Sequence, residues 1–278
     1  MNATKPPLGL HPDTLAVRQA VPRSQYGEHS EALYLSSSFV QPDAQTAARR
    51  FAGEEEGYTY TRTANPTVTS FEQRLAAMEG TEAAIATASG MSAILLMCLA
   101  LLKTGDHVVC SQSMFGSTIK LIAGELSRFG VRSSFVPQTD VAAWRAAVGP
   151  DTRLLFAETP TNPLTELCDI RALADVAHEA GVLLAVDNCF ASPALQRPAA
   201  FGADLVVHSG TKFLDGQGRV MAGAVCGPRA LIEDKLVSDL EMNANAFDAM
   251  IALDETIADE WLLWPEINYA APEAARSQ

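Results

Sequence analysis

Two short strings, VLLAVDN at residues 182–188 and LVVHSGTK at residues 205–212, decide the fold of this chain. Each begins with an unbroken apolar run and then changes abruptly to polar residues. A run that is apolar at every position and too short for a buried helix is typical of a strand covered on both faces. Each string therefore predicts an inner strand of a parallel sheet, with polar side chains at the carboxyl end of the strand.

The chain on either side of these strings alternates between short apolar runs and helical patterns. This alternation predicts an α/β domain with a mainly parallel sheet flanked by helices. Gly130 and Gly181 follow two of the helical patterns and suit the left-handed position after a helix. The predicted helices cover residues 71–78, 91–102, 118–129, 141–147 and 170–180, and the predicted strands cover residues 83–88, 107–110, 131–136, 154–157, 182–186, 205–207 and 220–225. Residues 1–60 lack sustained periodicity and contain loop-forming prolines, so we expect an extended arm there.

Composition and charge argue against several classes of protein. The 278 residues carry 20 basic and 33 acidic side chains, a net charge of −13, and no run rich in Lys or Arg. Because nucleic acids and anionic membranes attract cationic surfaces, we expect neither as a partner. Five dispersed cysteines without a CxxC pair, and a beginning without an apolar signal segment, predict a cytoplasmic protein with no metal site. The apolar stretch 83–102 is interrupted by hydroxyl residues and glycine, so it predicts a strand, a turn and a buried helix and not a membrane span.

Three predicted strand ends carry groups whose chemistry is complementary. The turn SGM at 89–91 opens a helix, where unpaired N–H groups and the helix dipole favour an anion. Ser209 and Thr211 add hydroxyl groups, Lys212 adds an amine and Asp187 adds a carboxylate. Ligands of α/β sheets bind outside the carboxyl ends of the strands. A phosphate cradle beside an amine and a buried acid matches pyridoxal phosphate, whose aldehyde binds a lysine and whose ring nitrogen is kept protonated by an acid.

Each of these groups also has a simpler interpretation when taken alone. Asp187 suits a helix cap or a turn, and Lys212 suits a solvated loop. Lys212 is, however, the one lysine of five that directly follows an apolar strand, and we expect burial there to lower the pKa of its amine. His208 is interpreted as a packed, hydrogen-bonded side chain and not as a base. Gly216-Gln217-Gly218 lacks the third glycine and the strand–turn–helix frame of a dinucleotide-binding turn.

Six ordered strings carry a resemblance to a known family. They read YTYTRTANPT (58–67), ATASGMSAI (86–94), SMFGST (113–118), ETPTNP (158–163), VDNCF (186–190) and HSGTKFLDGQGR (208–219). Together they resemble the Cys/Met-metabolism (trans-sulfuration) family of pyridoxal-phosphate enzymes over residues 58–227. The resemblance implies an aminotransferase-like fold, fold type I, with a seven-stranded type of sheet in the large domain, which we expect at residues 61–236.

The resemblance also implies a role for each matching residue. Lys212 resembles the catalytic lysine that binds the cofactor aldehyde, and Asp187 resembles the partner of the ring nitrogen. Phe115 occupies the position of the aromatic ring stacked on the cofactor, where many members have Tyr, and Asn162 resembles the residue near the 3′ oxygen. The residues that resemble the phosphate contacts are Gly90, Met91, Ser209 and Thr211.

Tyr60 and Arg62 resemble a pair that reaches the phosphate in the site of a neighbouring subunit. A dianionic phosphate in a chain of net charge −13 needs a local cation, and Arg binds phosphate through two parallel hydrogen bonds. The resemblance thus implies a homodimer or homotetramer with shared active sites, in which residues 1–60 form the arm that reaches the neighbour.

The implied reaction replaces the γ-acyl ester of O-succinyl-L-homoserine or O-acetyl-L-homoserine with sulfide and yields L-homocysteine, a step of methionine biosynthesis. Phe115 is similar to the branch of the family that acts on the succinyl ester. Two alternatives stay open: synthesis of cystathionine or γ-elimination within the same family, and a shortened relative that binds the cofactor with little or no turnover.

The motif strings end before Leu236. Members of the family continue with a C-terminal domain that bears an arginine for the substrate α-carboxylate, so we expect this small domain to be largely missing here. Residues 237–278 are expected to form a divergent helical tail, with an amphipathic helix at 247–263. Arg276 lies in a polar context without the family's motif and receives no role.

Overall fold

The computed structural model describes residues 10–237, which form an α/β unit around one seven-stranded sheet. The strands are β1 (Ala83–Thr87), β2 (His107–Ser111), β3 (Arg132–Val136), β4 (Thr152–Glu158), β5 (Leu183–Asp187), β6 (Leu205–Ser209) and β7 (Gly223–Gly227). Their order across the sheet is β1-β7-β6-β5-β4-β2-β3. Strands β2 to β6 pair in parallel, and β7 pairs antiparallel with both β6 and β1. The prediction of a mainly parallel seven-stranded sheet flanked by helices is confirmed.

Helices connect the strands and cover the sheet. They are α1 (Pro12–Arg18), α2 (Ala44–Phe51), α3 (Pro66–Glu79), α4 (Gly90–Leu101), α5 (Gly116–Lys120), α6 (Leu126–Arg128), α7 (Val141–Ala147), α8 (Ile170–Glu179), α9 (Ser192–Leu195) and α10 (Arg229–Leu231). A π-helical turn, Leu121–Glu125, joins α5 to α6, so the helix predicted at 118–129 is one continuous helical stretch that begins two residues earlier. Further π-helical turns are Gly210–Leu214 and Ile232–Val237, and Pro198–Phe201 is a 3₁₀ turn.

The core forms because the inner strands are apolar at nearly every position. On one face of the sheet, Trp144 and Leu173 pack with Leu155 and Leu184, and all four are fully buried. A smaller cluster joins Leu75 of α3 to β6 and β7. Burying such side chains contributes about 1.5–3 kcal/mol each, which is why the apolar strands lie in the middle of the sheet.

Most element boundaries predicted from the pattern agree with the structure to within two or three residues. Gly130 (φ +78°) and Gly181 (φ +68°) adopt the left-handed conformation that was expected of them. The pattern missed α1 and α2, both inside the expected arm. Each of these helices buries a single residue, Leu15 or Thr46, so neither leaves a clear apolar periodicity.

Two expectations lie outside the described residues. These are the helical tail, including the helix at 247–263, and the placement of Arg276. Within residues 10–237, every helix is too short or too polar to cross a lipid bilayer.

Candidate functional site

The turn after β1 forms the first wall of the site. Ser89 caps α4: its hydroxyl accepts a hydrogen bond from the amide of Ser92 at 3.2 Å, and its own amide donates to the Ser92 hydroxyl at 2.8 Å. Gly90 and Met91 occupy the next two positions, where backbone N–H groups have no acceptor inside a helix. Two amides are therefore free for an anion at the positive end of the helix dipole.

The beginning of α4 packs closely against the end of β6 and the start of β7. A Cβ atom on Gly90 would lie 2.7 Å from Cβ of Ser209, and a Cβ atom on Gly223 would lie 2.0 Å from the carbonyl oxygen of Ser89. Real Cβ atoms do not approach other atoms so closely, so both positions accept only glycine without a shift of the backbone. The absence of these side chains brings Ser209 next to the free amides of α4, as the predicted phosphate cradle requires.

Thr211 is held by the strand that follows it. Its hydroxyl accepts a hydrogen bond from the amide of Ala222 at 3.2 Å, and the amide of Gly210 donates to the Ala222 carbonyl at 2.7 Å. The turn that carries Thr211 and Lys212 is thus fixed to the start of β7, two residues after Ser209.

Lys212 lies in the π-helical turn after β6, with backbone angles (φ −91°, ψ −119°) that depart from helical values. Lys212 is exposed in the described part of the chain. The prediction that it is buried is therefore wrong there. The physical reason is that the turn lies past the carboxyl end of β6, whereas the strand itself is buried in the sheet.

Asp187 is the last residue of β5 and is 9% exposed. Burial and the neighbouring charge of Glu158 raise the pKa of its carboxyl to about 7, against the effect of a hydrogen bond from the amide of Cys189 (2.9 Å). That amide binds Oδ1, while Oδ2 makes no hydrogen bond within the described part of the chain. One oxygen of a buried acid is therefore available to a donor that is not part of residues 10–237.

The thiol of Cys189 is close enough to the acids and the amine of the site for their charges to affect its pKa. Burial and the charges of Asp187 and Glu158 raise the pKa of Cys189 to about 12, while Lys212 acts in the opposite direction. The Cys189 thiol also lies 3.8 Å from the carbonyl oxygen of Ser209. The amine and the acid predicted to serve one cofactor are thus within electrostatic range of the same group.

Phe115 and Asn162 both bind Glu158 through their backbones. The amide of Phe115 donates to Oε2 of Glu158 at 2.6 Å, and the amide of Asn162 donates to Oε1 at 3.1 Å. The Phe115 ring is 42% exposed and Asn162 is exposed, so both side chains are accessible at the carboxyl end of the sheet.

Tyr60 and Arg62 pair with each other and not with the rest of the site. The Arg62 guanidinium lies 4.9 Å from the centre of the Tyr60 ring, and both side chains are exposed. Between residues 10 and 237, neither makes a hydrogen bond or ring contact with Lys212 or Asp187. The structure therefore does not bring this pair to the site of its own chain. Contact of the pair with the phosphate in the site of a neighbouring subunit stays a prediction.

His208 is fully buried and lies 2.6 Å from Glu79 at the end of α3. Asn188 donates to the same oxygen of Glu79 at 2.8 Å. The interpretation of His208 as a packed, hydrogen-bonded side chain is confirmed. Gly216 and Gly218, at φ +69° and +67°, lie in the loop before β7 with no helix behind them, so the dinucleotide interpretation stays rejected.

Sequence reasoning missed Glu79 and Glu158. Glu158 had a visible signal, because it ends an apolar strand as Asp187 does. Glu79 had none, since its partners His208 and Asn188 are more than 100 residues away along the chain.

The residues present fit pyridoxal phosphate. The free amides of α4 suit the phosphate, as does the space beside Ser209 that Gly90 leaves open because it has no side chain. The unpartnered oxygen of buried Asp187 suits a protonated ring nitrogen. Lys212 supplies the amine at the same end of the sheet. An anion site and an acid with a free oxygen suit a ligand that carries a phosphate and a protonated nitrogen, and pyridoxal phosphate carries both.

Comparisons with known proteins agree with this geometry. A model of the family of Cys/Met metabolism PLP-dependent enzymes matches residues 13–254. The chain is 57% identical, over 215 residues, to an O-succinylhomoserine sulfhydrylase of Pseudomonas aeruginosa, covering 77% of this chain and 53% of that protein. It is 40% identical, over 243 residues, to an L-methionine gamma-lyase of Porphyromonas gingivalis, covering 86% of this chain and 61% of that protein.

A solved structure is similar as well. The metB protein of Corynebacterium glutamicum superposes with a TM-score of 0.77 and 34% identity, covering 82% of this chain and 58% of that one. The chain thus spans between about half and three-fifths of the length of these three proteins.

Proposed function

Because the chain belongs to the family of Cys/Met metabolism PLP-dependent enzymes, we propose that it binds pyridoxal phosphate at Lys212 and acts on an O-acylhomoserine. The proposed reaction replaces the γ-acyl ester of O-succinyl- or O-acetyl-L-homoserine with sulfide and gives L-homocysteine. The 57% identity to an O-succinylhomoserine sulfhydrylase supports this choice within the family.

One observation carries the proposal. The ends of β1, β5 and β6 bring free helix amides, a buried acid with an unpartnered oxygen and an amine to one edge of the sheet. Gly90 and Ser209 touch so closely that a methyl group between them is excluded. This arrangement suits a ligand with a phosphate at one end and a protonated ring nitrogen at the other.

Bound pyridoxal phosphate supplies an electron-withdrawing ring that stabilises negative charge on the substrate. With the cofactor bound, Asp187 would hold a proton on the ring nitrogen through its free oxygen, and the amides of Gly90 and Met91 would hold the phosphate together with the Ser209 hydroxyl. The exposed ring of Phe115 would pack against the cofactor and exclude water. Nζ of Lys212 removes the α-proton of the substrate and returns a proton later, because it is the basic group at this edge of the sheet.

A γ-elimination is the second candidate reaction. The 40% identity to an L-methionine gamma-lyase favours it. Phe115 counts against it, because a tyrosine at this position adds a hydroxyl that assists proton transfer. Transfer of the homoserine chain to cysteine, which makes cystathionine, is the third reaction of the same kind.

Cofactor binding is tested with the full chain. Purified protein mixed with pyridoxal phosphate is expected to turn yellow, to lose the colour with borohydride and to carry the added mass on the peptide that contains Lys212. Lys212→Ala is expected to show neither change. Lys120→Ala removes an exposed lysine of α5 and is the matched control, expected to behave as the wild type. A label on any other lysine would contradict the proposal.

The reaction is tested by the products. Homocysteine from O-succinylhomoserine and sulfide supports the proposed function, and 2-oxobutanoate from methionine supports the γ-elimination. Cystathionine from O-succinylhomoserine and cysteine supports the third reaction. Bound cofactor with none of these products would identify a cofactor-binding relative without turnover.

The partner that we propose for this chain is a second copy of itself. Tyr60 and Arg62 are exposed and paired where the arm (residues 1–60) meets the domain, and the arm presents apolar side chains to solvent, such as Leu35 (97% exposed) and Val40 (100% exposed). Exposed apolar residues in this number are typical of a surface that is covered by a partner. A homodimer or homotetramer with shared sites would cover them.

A further inference from the structure

Glu158 is a buried acid at the end of β4, directly beside Asp187 at the end of β5. The two residues are in register in adjacent parallel strands, so their side chains leave the same face of the sheet. Glu158 is 4% exposed. Two neighbouring buried carboxylates oppose each other's ionisation, so each destabilises the fold unless it has a partner of its own.

Glu158 has two such partners, and both are backbone amides. Oε2 accepts from Phe115 at 2.6 Å and Oε1 accepts from Asn162 at 3.1 Å. The carboxylate therefore ties together two segments that are more than 40 residues apart along the chain. Burial raises the pKa of Glu158, and the two amide hydrogen bonds act in the opposite direction. When Glu158 is ionised, these hydrogen bonds are about twice as strong as neutral ones, so the bridge then constrains both segments strongly.

The two segments are those that carry the side chains expected to contact the ring. We propose that Glu158 is a positioning residue of the cofactor site: its two oxygens fix the backbone at Phe115 and Asn162, and its place beside Asp187 puts a second carboxyl group next to the acid that is proposed to hold the ring nitrogen. This inference rests on the proposed function, because it assigns Glu158 to the site where that function places pyridoxal phosphate.

Two groups within residues 10–237 act on Asp187: the charge of Glu158 on β4 raises the pKa of its carboxyl, and the hydrogen bond from the amide of Cys189, after β5, lowers it. Lys212, after β6, acts on the neighbouring Cys189 thiol. Burial and nearby negative charge raise the pKa of the Cys189 thiol to about 12, so this group stays neutral below pH 9. Glu158 is the neighbouring charge that opposes ionisation of Asp187, and its removal acts on Asp187 directly.

The test measures the affinity of the full chain for pyridoxamine 5′-phosphate between pH 5 and pH 9. This probe has the ring and the phosphate but no aldehyde, so it reports on Asp187 and the cradle without a bond to Lys212. The wild type is expected to bind more tightly as the pH rises through about 7, where Asp187 ionises.

Glu158→Gln is expected to change two measurements at once. Its amide group can accept from one of the two N–H groups but faces the other with a donor, so affinity at pH 8 falls about tenfold. The acid limb of the affinity profile, which is the pH range over which affinity rises as Asp187 ionises, moves about one pH unit lower. It moves because the like charge beside Asp187 is gone. A purely structural role for Glu158 would lower the affinity but leave the limb in place.

Two further variants separate the two effects. Glu158→Asp keeps the charge but is too short to reach both amides, so affinity falls and the acid limb stays. Glu72→Gln is the matched control: Glu72 also accepts one backbone amide, that of Ala86 at 2.8 Å, and its pKa is also raised to about 7 by burial. This control is expected to change neither measurement.

The outcomes decide between the two claims. A limb that does not move in Glu158→Gln, while the wild type binds the probe, overturns the inference and leaves the proposed function intact. A limb that moves equally in Glu72→Gln overturns it as well. No binding of the probe by the wild type at any pH overturns the proposed function and the inference with it.

Discussion

The carboxyl group of Asp187 shows how a single residue exchanges stability for function. Burial and the charge of Glu158 favour its protonated form, and the pKa rises to about 7. An unfolded chain ionises the same group near pH 4. Between these two values the unfolded state binds fewer protons than the folded state, so this group makes the fold less stable as the pH rises.

Replacing Asp187 with a residue that does not ionise removes this loss of folding stability at higher pH. Asp187→Asn without cofactor is expected to be more stable than the wild type, and its advantage grows by about 2–3 kcal/mol from pH 5 to pH 8. The same variant is expected to lose affinity for pyridoxal phosphate, because an amide does not balance a protonated ring nitrogen. Urea unfolding at both pH values, together with cofactor titration, measures the two effects.

Asp43→Asn is the control of opposite sign. Asp43 caps α2, and hydrogen bonds from Thr46 hold its pKa below the usual range. Its ionised form therefore stabilises the fold above the unfolded pKa, and the Asn variant is expected to lose stability relative to the wild type as the pH rises. If Asp187→Asn followed the same direction as Asp43→Asn, the burial argument for Asp187 would be wrong.

At the scale of elements, the site depends on how closely α4 approaches β6. Gly90 is the first residue of the helix, and the space for its missing side chain is filled by Ser209. The helix amides and the Ser209 hydroxyl therefore reach the same small volume. Any residue with a Cβ atom at position 90 separates the two walls of the cradle.

Gly90→Ala is thus expected to destabilise the chain by about 1–3 kcal/mol and to weaken the binding of pyridoxal phosphate at least tenfold. Gly124→Ala is the matched control, because a Cβ atom there meets nothing within 4 Å and its φ is not positive. The control is expected to be neutral or slightly stabilising, as alanine favours a helix more than glycine does. Thermal unfolding and cofactor titration of both variants check this, and equal effects at the two positions would refute the role of the close contact.

At the scale of the whole molecule, the arm and the cofactor site belong to different copies in our proposal. Tyr60 and Arg62 make no contact with Lys212 or Asp187 within residues 10–237. A phosphate with two negative charges still needs a cation, and Arg62 is proposed to supply it to a neighbour. If one copy supplies Arg62 and its neighbour supplies Lys212, two variants that each lack one of these residues are expected to complement each other when they are combined.

Mixing two variants that each bind the cofactor weakly is expected to restore one complete cofactor site in every mixed pair. Arg62→Ala keeps its own lysine but has no arginine to offer, and Lys212→Ala keeps the arginine but has no lysine. After refolding together, a mixed pair contains one site with both groups, so borohydride is expected to fix cofactor on the Arg62→Ala chain alone. Each variant by itself is expected to bind at least tenfold more weakly than the wild type. No recovery on mixing would show that Arg62 acts within its own chain or not at all.

Much of the fold was predictable because its signals are local. Short apolar runs ended within two residues of the ends of β5 and β6, and Gly130 and Gly181 followed helices as expected. The two short helices of the arm were not predictable, because each buries one residue and leaves almost no periodic pattern.

The polar groups at the strand ends were predictable, but the buried acids Glu79 and Glu158 and the connections that they make were not. Asp187 and the Ser209–Lys212 turn follow apolar strands, and parallel strands end at one edge, so their proximity follows from the sequence pattern. The exposure of Lys212 did not follow, because it depends on what packs against the turn after β6. The bridge from Glu158 to Phe115 and Asn162 did not follow either, because it is made by backbone amides that no residue type reveals.

The sequence by itself therefore determined the order of the elements, the polar groups at the strand ends and the family to which they belong. Those properties depend on residue type and on spacing over a few positions. Only the tertiary structure decided that a missing Cβ atom joins α4 to Ser209, that Glu79 binds His208 and Asn188, and that Glu158 stands beside Asp187. Contacts of this kind join residues far apart along the chain, and their distances and burial exist only once the sheet has formed.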